Sequence, residues 1–321
     1  MLNNSKLAPN LENWLSDVNR QQALLDKSLA KVTPKMMRKA LATMTKTHVT
    51  DAPEIKSVFD SMLSSQQLSV PLRIYDPATD IATPVIIFIH GGGHMCGSVD
   101  VYDAVCRKLA VACQHIVVSV EYSLAPEFPY PIALNECAAV VRGIWRHLDG
   151  YGARYQRNLS LVGDSGGGAL CATLCANSQS DPSLAIQRQA LIYPSLDYTL
   201  SSPSVEALSK GYLLEKGRIE WYFDHYLQNG ENREEVSPLS LPVSASLPHT
   251  LVITAGFCPL SDEGKRYVAR LSEAGAVAEH HEEPSQIHAY LNLENLVPEA
   301  CERTYKYIAE FINSEEKTLC A

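Results

Sequence analysis

The chain contains no apolar run long enough to span a bilayer, so stable membrane insertion is not expected. Its opening, Met1-Leu-Asn-Asn-Ser-Lys, lacks the apolar centre of a secretion leader, which points to a cytoplasmic setting. The nine cysteines follow no regular spacing, and no Cys/His group has the separation of a zinc site. The expectation is therefore free thiols in a reducing compartment, with no disulfide framework and no metal. Positive charge is not in excess either. A formal net charge of −9 argues against nucleic acid as the main partner. No internal repeat or low-complexity tract is present, and no Lys-Ser or Lys-Thr follows the glycine runs as a phosphate cradle would require.

What remains is an ordinary globular composition: 321 residues, 46% hydrophobic and 20% charged. That length buries a large core without help. The charge is uneven, because residues 1–46 carry eight Lys/Arg against three Asp/Glu and leave the rest near −14. The basic run Lys31-Val-Thr-Pro-Lys-Met-Met-Arg-Lys reads first as a solvated helix face and second as a patch for an anionic surface.

From about residue 67 onward, apolar runs alternate with helical patterns. Strands are expected at Leu68–Tyr75, Val85–His90, Ile116–Glu121, Leu159–Gly163, Ala190–Pro194, Thr250–Ala255 and Val277–Glu282. Helices are expected near 100–113, 132–148, 165–179, 262–274 and 299–313. Several strands are continuously apolar, as strands buried on both faces are. The expected fold class is α/β, with a mostly parallel central sheet and helices on both faces. Two segments break the alternation. Residues 1–60 read as helical, with Trp14, Leu15, Val18, Leu24, Leu25 and Leu29 as apolar positions. Residues 198–240 include the aromatic-rich Trp221-Tyr-Phe-Asp-His-Tyr-Leu. Together they are expected to form a helical lid over a core made of 61–197 and 241–321. The blander alternative is two unrelated surface decorations.

The chemistry begins at Leu159-Ser-Leu-Val-Gly-Asp-Ser-Gly-Gly, which is followed at once by a helix of small residues. That order of strand, tight turn and helix suits a nucleophile elbow with Ser165 at its tip. Gly163 and Gly167 remove side chains that so sharp a turn would bring into collision. Gly-Asp-Ser-Gly-Gly also surrounds the nucleophile of trypsin-like proteases, but the strand and helix context here is not that of an all-β fold. A second signal, His90-Gly-Gly-Gly-His, follows the strand Val85–Ile89. Backbone N–H groups of Gly92, Gly93 and Gly166 are candidate oxyanion-hole donors. A third is His288, placed after the last strand, so that the nucleophile comes first and the histidine last. His280 and His281 compete for the role of base but lie inside an expected strand. His94 and His249 read as structural, and Cys171 and Cys175 as small core residues.

At this point the chain resembles the hormone-sensitive-lipase-like, acetyl-esterase-like carboxylesterases of the α/β-hydrolase superfamily. The resemblance covers roughly residues 67–315. It rests on His90-Gly-Gly-Gly, Tyr122-Ser-Leu-Ala-Pro-Glu-Phe-Pro-Tyr-Pro, Gly163-Asp-Ser-Gly-Gly, Tyr193-Pro-Ser-Leu-Asp and the region of Asp262 and His288. It implies a small-molecule ester substrate, hydrolysed with Ser165 as nucleophile and His288 as base, and no cofactor. It leaves room for a homodimer. Glu127 and Asp164 match family positions and are expected to tie down the oxyanion loop and the elbow.

The chain departs from the family at one place. Where the family carries Asp-Pro-Leu-x-Asp-Glu, with the first Asp as triad acid, this chain reads Cys258-Pro-Leu-Ser-Asp-Glu. A neutral thiol is a weak partner for a histidine. Three readings stay open. Another carboxylate substitutes, with Asp262, Glu263 and Asp197 as candidates and Asp262 foremost among them, although an N-cap role suits Asp262 slightly better. Alternatively the chain is a weak esterase with Cys258 as a poor third member. The third reading is a non-catalytic ligand-binding or regulatory protein on the same fold.

Overall fold

The structure is a computed structural model that describes residues 6–27, 32–65 and 68–314. Leu29 and Lys31 fall outside the described residues, and of Leu24 and Leu25 only the helical backbone is described.

Eight strands form one sheet: β1 Ser57–Ser64, β2 Ser69–Asp76, β3 Thr83–Ile89, β4 Ile116–Val120, β5 Tyr155–Asp164, β6 Arg188–Ile192, β7 His249–Phe257 and β8 Ala278–Ile287. Their order is β1-β2-β4-β3-β5-β6-β7-β8. β1 and β2 are antiparallel, β2 meets β4 antiparallel, and the strands from β4 across to β8 are parallel. Among the described residues ten α-helices accompany them: α1 Pro9–Lys27, α2 Pro34–His48, α3 Asp103–Cys113, α4 Ile132–Gly150, α5 Gly166–Ser178, α6 Pro203–Ala207, α7 Lys216–Tyr226, α8 Arg233–Val236, α9 Ser261–Glu273 and α10 Pro298–Asn313.

The core lies on both faces of the sheet, because alternate side chains of each strand point to opposite sides. Ile86 and Phe88 of β3 pack with α3, α10 and α7. Val85, Ile87 and Ile89 pack with α4 and α5 on the other face. The strands β3, β4 and β6 are buried along nearly their whole length, which is why they read as unbroken apolar runs.

Each expected strand and helix has a counterpart here, with ends moved by a few residues. β1 is the exception. Residues 57–60, grouped above with the helical segment, form the first half of this strand and belong to the sheet. β1 is an antiparallel edge strand whose residues are mostly partly exposed, so its sequence, Ser-Val-Phe-Asp-Ser-Met-Leu-Ser, shows little contrast between faces.

The sheet positions the site through its carboxyl ends. After β3 the chain crosses to β4 on one side, and after β4 it returns to β5 on the other. The loops that follow β3 and β5 therefore diverge from a crevice at the switch in strand order. The loops after β7 and β8 open onto the same end of the sheet.

Candidate active site

Ser165 stands between β5 and α5 with φ 51° and ψ −120°, a backbone conformation that L side chains rarely adopt. The turn survives because its neighbours have no Cβ. A Cβ on Gly167 would lie 1.9 Å from the carbonyl oxygen of Ile89, and one on Gly163 would lie 2.7 Å from backbone atoms of Gly167. The helix that follows presents the N–H of Gly166 at its positive end, beside the serine.

His288 follows β8, and its Nε2 lies 2.9 Å from Ser165 Oγ. Its Nδ1 faces Cys258 Sγ at 3.1 Å. The sulfur also accepts the N–H of Leu260 at 3.3 Å. Cys258 is fully buried, and burial pushes its thiol far above the ordinary range, so it is a neutral S–H. Burial also lowers the His288 imidazole to about 3, because no charge beside it favours the imidazolium.

These two shifts set the chemistry. For Nε2 to take the proton of Ser165, Nδ1 must already carry one. A carboxylate enforces that tautomer, whereas a thiol that donates S–H to Nδ1 favours the opposite one. When Nδ1 instead donates, neutral sulfur is a weak acceptor and offers no negative charge to an imidazolium.

The other acid candidates sit elsewhere. Asp262 accepts the N–H of Ser204 at 2.9 Å, at the start of α6, and its own N–H donates to Ser204 Oγ. The Asp197 carboxylate is held by Thr199, by Ser201 at 2.7 Å and by Arg266 at 3.3 Å. Glu263 is buried and accepts the N–H groups of Leu196, at 2.6 Å, and of Asp197. Of the candidates weighed, it is Cys258 that the structure brings to His288.

The glycine loop that follows β3 is braced from below. Asp164 Oδ1 accepts the N–H of Gly91 at 2.6 Å, and Oδ2 accepts the hydroxyl of Tyr102 at 3.1 Å. Burial lifts this carboxyl to about 7, against the pull of those donors. Gly92 and Gly93 both have positive φ, and a Cβ on Gly93 would press on the Tyr222 ring at 2.7 Å. Glu127 pairs with Arg38 of α2, whose Nε donates to Met95 O at 2.9 Å. Of the other histidines, His280 bonds Thr254 at 2.9 Å, His281 stacks on Tyr307, and His94 stacks on Tyr226 and lines the site.

Ser165, His288, Gly92, Gly93 and Gly166 open onto a cavity of about 430 Å³. Its outer wall comes from the two irregular segments. Met36, Met37, Leu41 and Met44 of α2 face Leu213, Leu214, Ile219 and Phe223. The segments also bond to each other, through Asn19 Nδ2 to Gly211 O at 3.1 Å and Gln22 Nε2 to Glu215 at 3.5 Å. The methionine wall was missed in the sequence, although Met36-Met37, Ala40-Leu41 and Met44 repeat at helical spacing. Tyr102 lies in no motif, and Arg38 was noted only as one cation of the basic run that begins at Lys31. Among the described residues, no group of three His, Cys, Asp or Glu could hold a metal ion, and no helix is long and apolar enough to cross a membrane.

Residues 86–292 match the family described as alpha/beta hydrolase fold. The chain belongs to that family. Within it, its kinship is with carboxylic ester hydrolases. Carboxylic ester hydrolase LipN of Mycobacterium tuberculosis is 35% identical over 236 residues, which is 70% of this chain and 61% of LipN. Esterase LipI of the same organism is 33% identical over 78% of this chain and 80% of LipI. The ethyl acetate hydrolase of Pseudomonas putida is 32% identical over 73% of this chain and 75% of its own. Among solved structures, an ester hydrolase from the metagenome of Lake Arreo, in complex with a derivative of bipyridine phosphonate, aligns with a TM-score of 0.85 at 29% identity. That alignment covers 95% of this chain and 98% of the other. The hyperthermophilic esterase of Pyrobaculum calidifontis aligns with a TM-score of 0.84 at 27% identity, over 96% and 98%. This alpha/beta hydrolase thus shares its overall fold with esterases along nearly the whole chain.

Proposed function

We propose that the chain hydrolyses short-acyl carboxylic esters through an acyl-enzyme on Ser165, with Cys258 standing where the triad carboxylate would be. The observation that carries this reading is the line Ser165 Oγ, His288 Nε2, His288 Nδ1, Cys258 Sγ, with contacts of 2.9 and 3.1 Å, at the floor of the cavity. Ser165 attacks the acyl carbon as His288 Nε2 takes its proton. The tetrahedral oxyanion forms against the N–H groups of Gly92, Gly93 and Gly166. Collapse expels the alkoxide, which receives the proton from Nε2. Water then repeats the sequence to release the acid. No cofactor takes part. Residues 1–60, apart from β1, and residues 198–240 act as a lid that keeps water from the acyl-enzyme. The short acyl range is supported by the size of the cavity and by the name of the ethyl acetate hydrolase relative.

The missing charge opposite Nδ1 makes this a slow triad. A base whose pKa is held near 3 is also poorly matched to proton transfer near neutrality. That observation favours, as the second reading, a protein on this fold that binds its ligand and turns it over negligibly. Turnover of p-nitrophenyl acetate and butyrate, with Ser165→Ala as control, separates the two, as does labelling of Ser165 by a fluorophosphonate. Rates equal to those of the control, with no labelling, would leave the binding protein.

A further inference from the structure

Arg218 lines the cavity that holds Ser165, in company that is otherwise mostly apolar. Other partly buried arginines of this chain meet a carboxylate: Arg73 with Asp60, Arg107 with Asp103, Arg38 with Glu127. Arg218 has no ion-pair partner among the described residues. Of the acids nearest in sequence, Glu220 is exposed and makes no ion pair with it among the described residues, and Glu215 accepts Gly211 N at 3.0 Å and Gln22 Nε2 at 3.5 Å. The guanidinium lies over the Trp221 ring, 5.5 Å from its centroid, and among the described residues no hydrogen bond engages its N–H groups. Its place relative to the chemistry is set by α7. One helical turn on, Tyr222 packs its ring against Gly93 of the oxyanion loop. The charge is close enough to the site to bear on the Tyr222 hydroxyl and the Cys96 thiol.

A second observation agrees. The rest of the protein is acidic, but the helix that supplies the opposite wall of the cavity is basic, with Lys35 and Lys39 exposed beside the methionines that line it. The wall over Ser165 therefore offers an approaching anion a local positive field on a protein of net negative charge.

We propose that Arg218 is a specificity residue for esters that carry a carboxylate at the far end of their acyl chain. This rests on the hydrolase reading above and narrows its substrate class. The apolar wall takes the methylene chain, the guanidinium takes the terminal carboxylate in a two-point contact, and Ser165 meets the ester carbonyl between them. No bond is made or broken at Arg218.

The test compares mono-p-nitrophenyl adipate with p-nitrophenyl hexanoate, which differ at the chain terminus. The wild-type protein is expected to favour the adipate ester in kcat/KM, mainly through KM. Arg218→Met should lower the adipate-to-hexanoate ratio by about 10- to 100-fold, Arg218→Lys should retain part of it, and Arg218→Glu should lower it furthest. On the unaltered protein, rising ionic strength should erode the preference. Binding of the same two esters to Ser165→Ala, measured calorimetrically with and without Arg218→Met, reads recognition apart from turnover. A ratio that stays within about twofold across the Arg218 variants, in binding as in rate, overturns the proposal. Failure of the wild type to hydrolyse the adipate, hexanoate, acetate and butyrate esters alike would sink the hydrolase reading, while the Ser165→Ala binding still decides for or against Arg218.

Discussion

The two ends of the His288 ring are built by different means. At Nε2 lies the elbow, where backbone geometry does most of the work: a strained serine, two glycines packed against neighbouring backbone, and the first turn of α5. At Nδ1 lies a loop whose contribution reduces to one side chain, Cys258. A site made of backbone tolerates almost no change at its glycines and announces itself in the sequence. A site made of one side chain loses its chemistry by a single replacement, while the loop around it keeps its shape.

This contrast can be broken at either end. Ser165→Ala should abolish ester hydrolysis, by about 10⁴-fold or more in kcat, with folding intact by circular dichroism. Gly167→Ala should cost at least about 3 kcal/mol in denaturant titration, or leave no soluble protein, since the added methyl meets the Ile89 carbonyl. At the other end, Cys258→Asp should raise kcat by about 10²- to 10⁴-fold, because the carboxylate fixes the tautomer and supports the imidazolium. An unchanged rate would mean that this loop does not limit the chemistry.

The pH profile sharpens the same comparison. Only neutral His288 serves as a base, so activity falls as pH drops through its pKa. With burial holding that pKa near 3, the acid limb of kcat/KM should lie well below the ordinary histidine range. Cys258→Asp favours the imidazolium and should move the limb to higher pH. A limb near 6.5 in the unaltered protein, unmoved by Cys258→Asp, would contradict the burial argument. The smallest effect is expected at the cavity wall that α2 supplies. Arg38→Ala removes the donors to Met95, Ala125 and Glu127 that pin α2, and should raise KM by roughly 3- to 10-fold with less change in kcat.

The legible parts of the sequence follow the same division. The parallel strands were readable because burial on both faces leaves runs such as Pro-Val-Ile-Ile-Phe-Ile, and the elbow because its glycines obey steric rules. β1 was not, since an exposed edge strand with serines on both faces carries little pattern. Cys258 was identified by its place in an otherwise intact motif, whereas its contact with His288 depends on how β7 and β8 end side by side. Asp262 looked equally available in sequence, one helical turn on. The turn carries it toward Ser204 and α6 instead. Arg218 was invisible because an unpaired charge means little until the surroundings are known to be apolar.

The hydrogen bond between Ser165 and His288 spans 123 positions of the chain, and that between Asn19 and Gly211 spans 192. A ribosome delivers these partners in order. The elbow with Ser165 leaves the exit tunnel long before His288, so a nascent chain carries the serine without this hydrogen-bond partner until the loop after β8 emerges. The helices of the amino-terminal segment, made first, wait longest for the surfaces they cover. Because His288 arrives after both segments that wall the cavity, the unfinished chain stays chemically quiet.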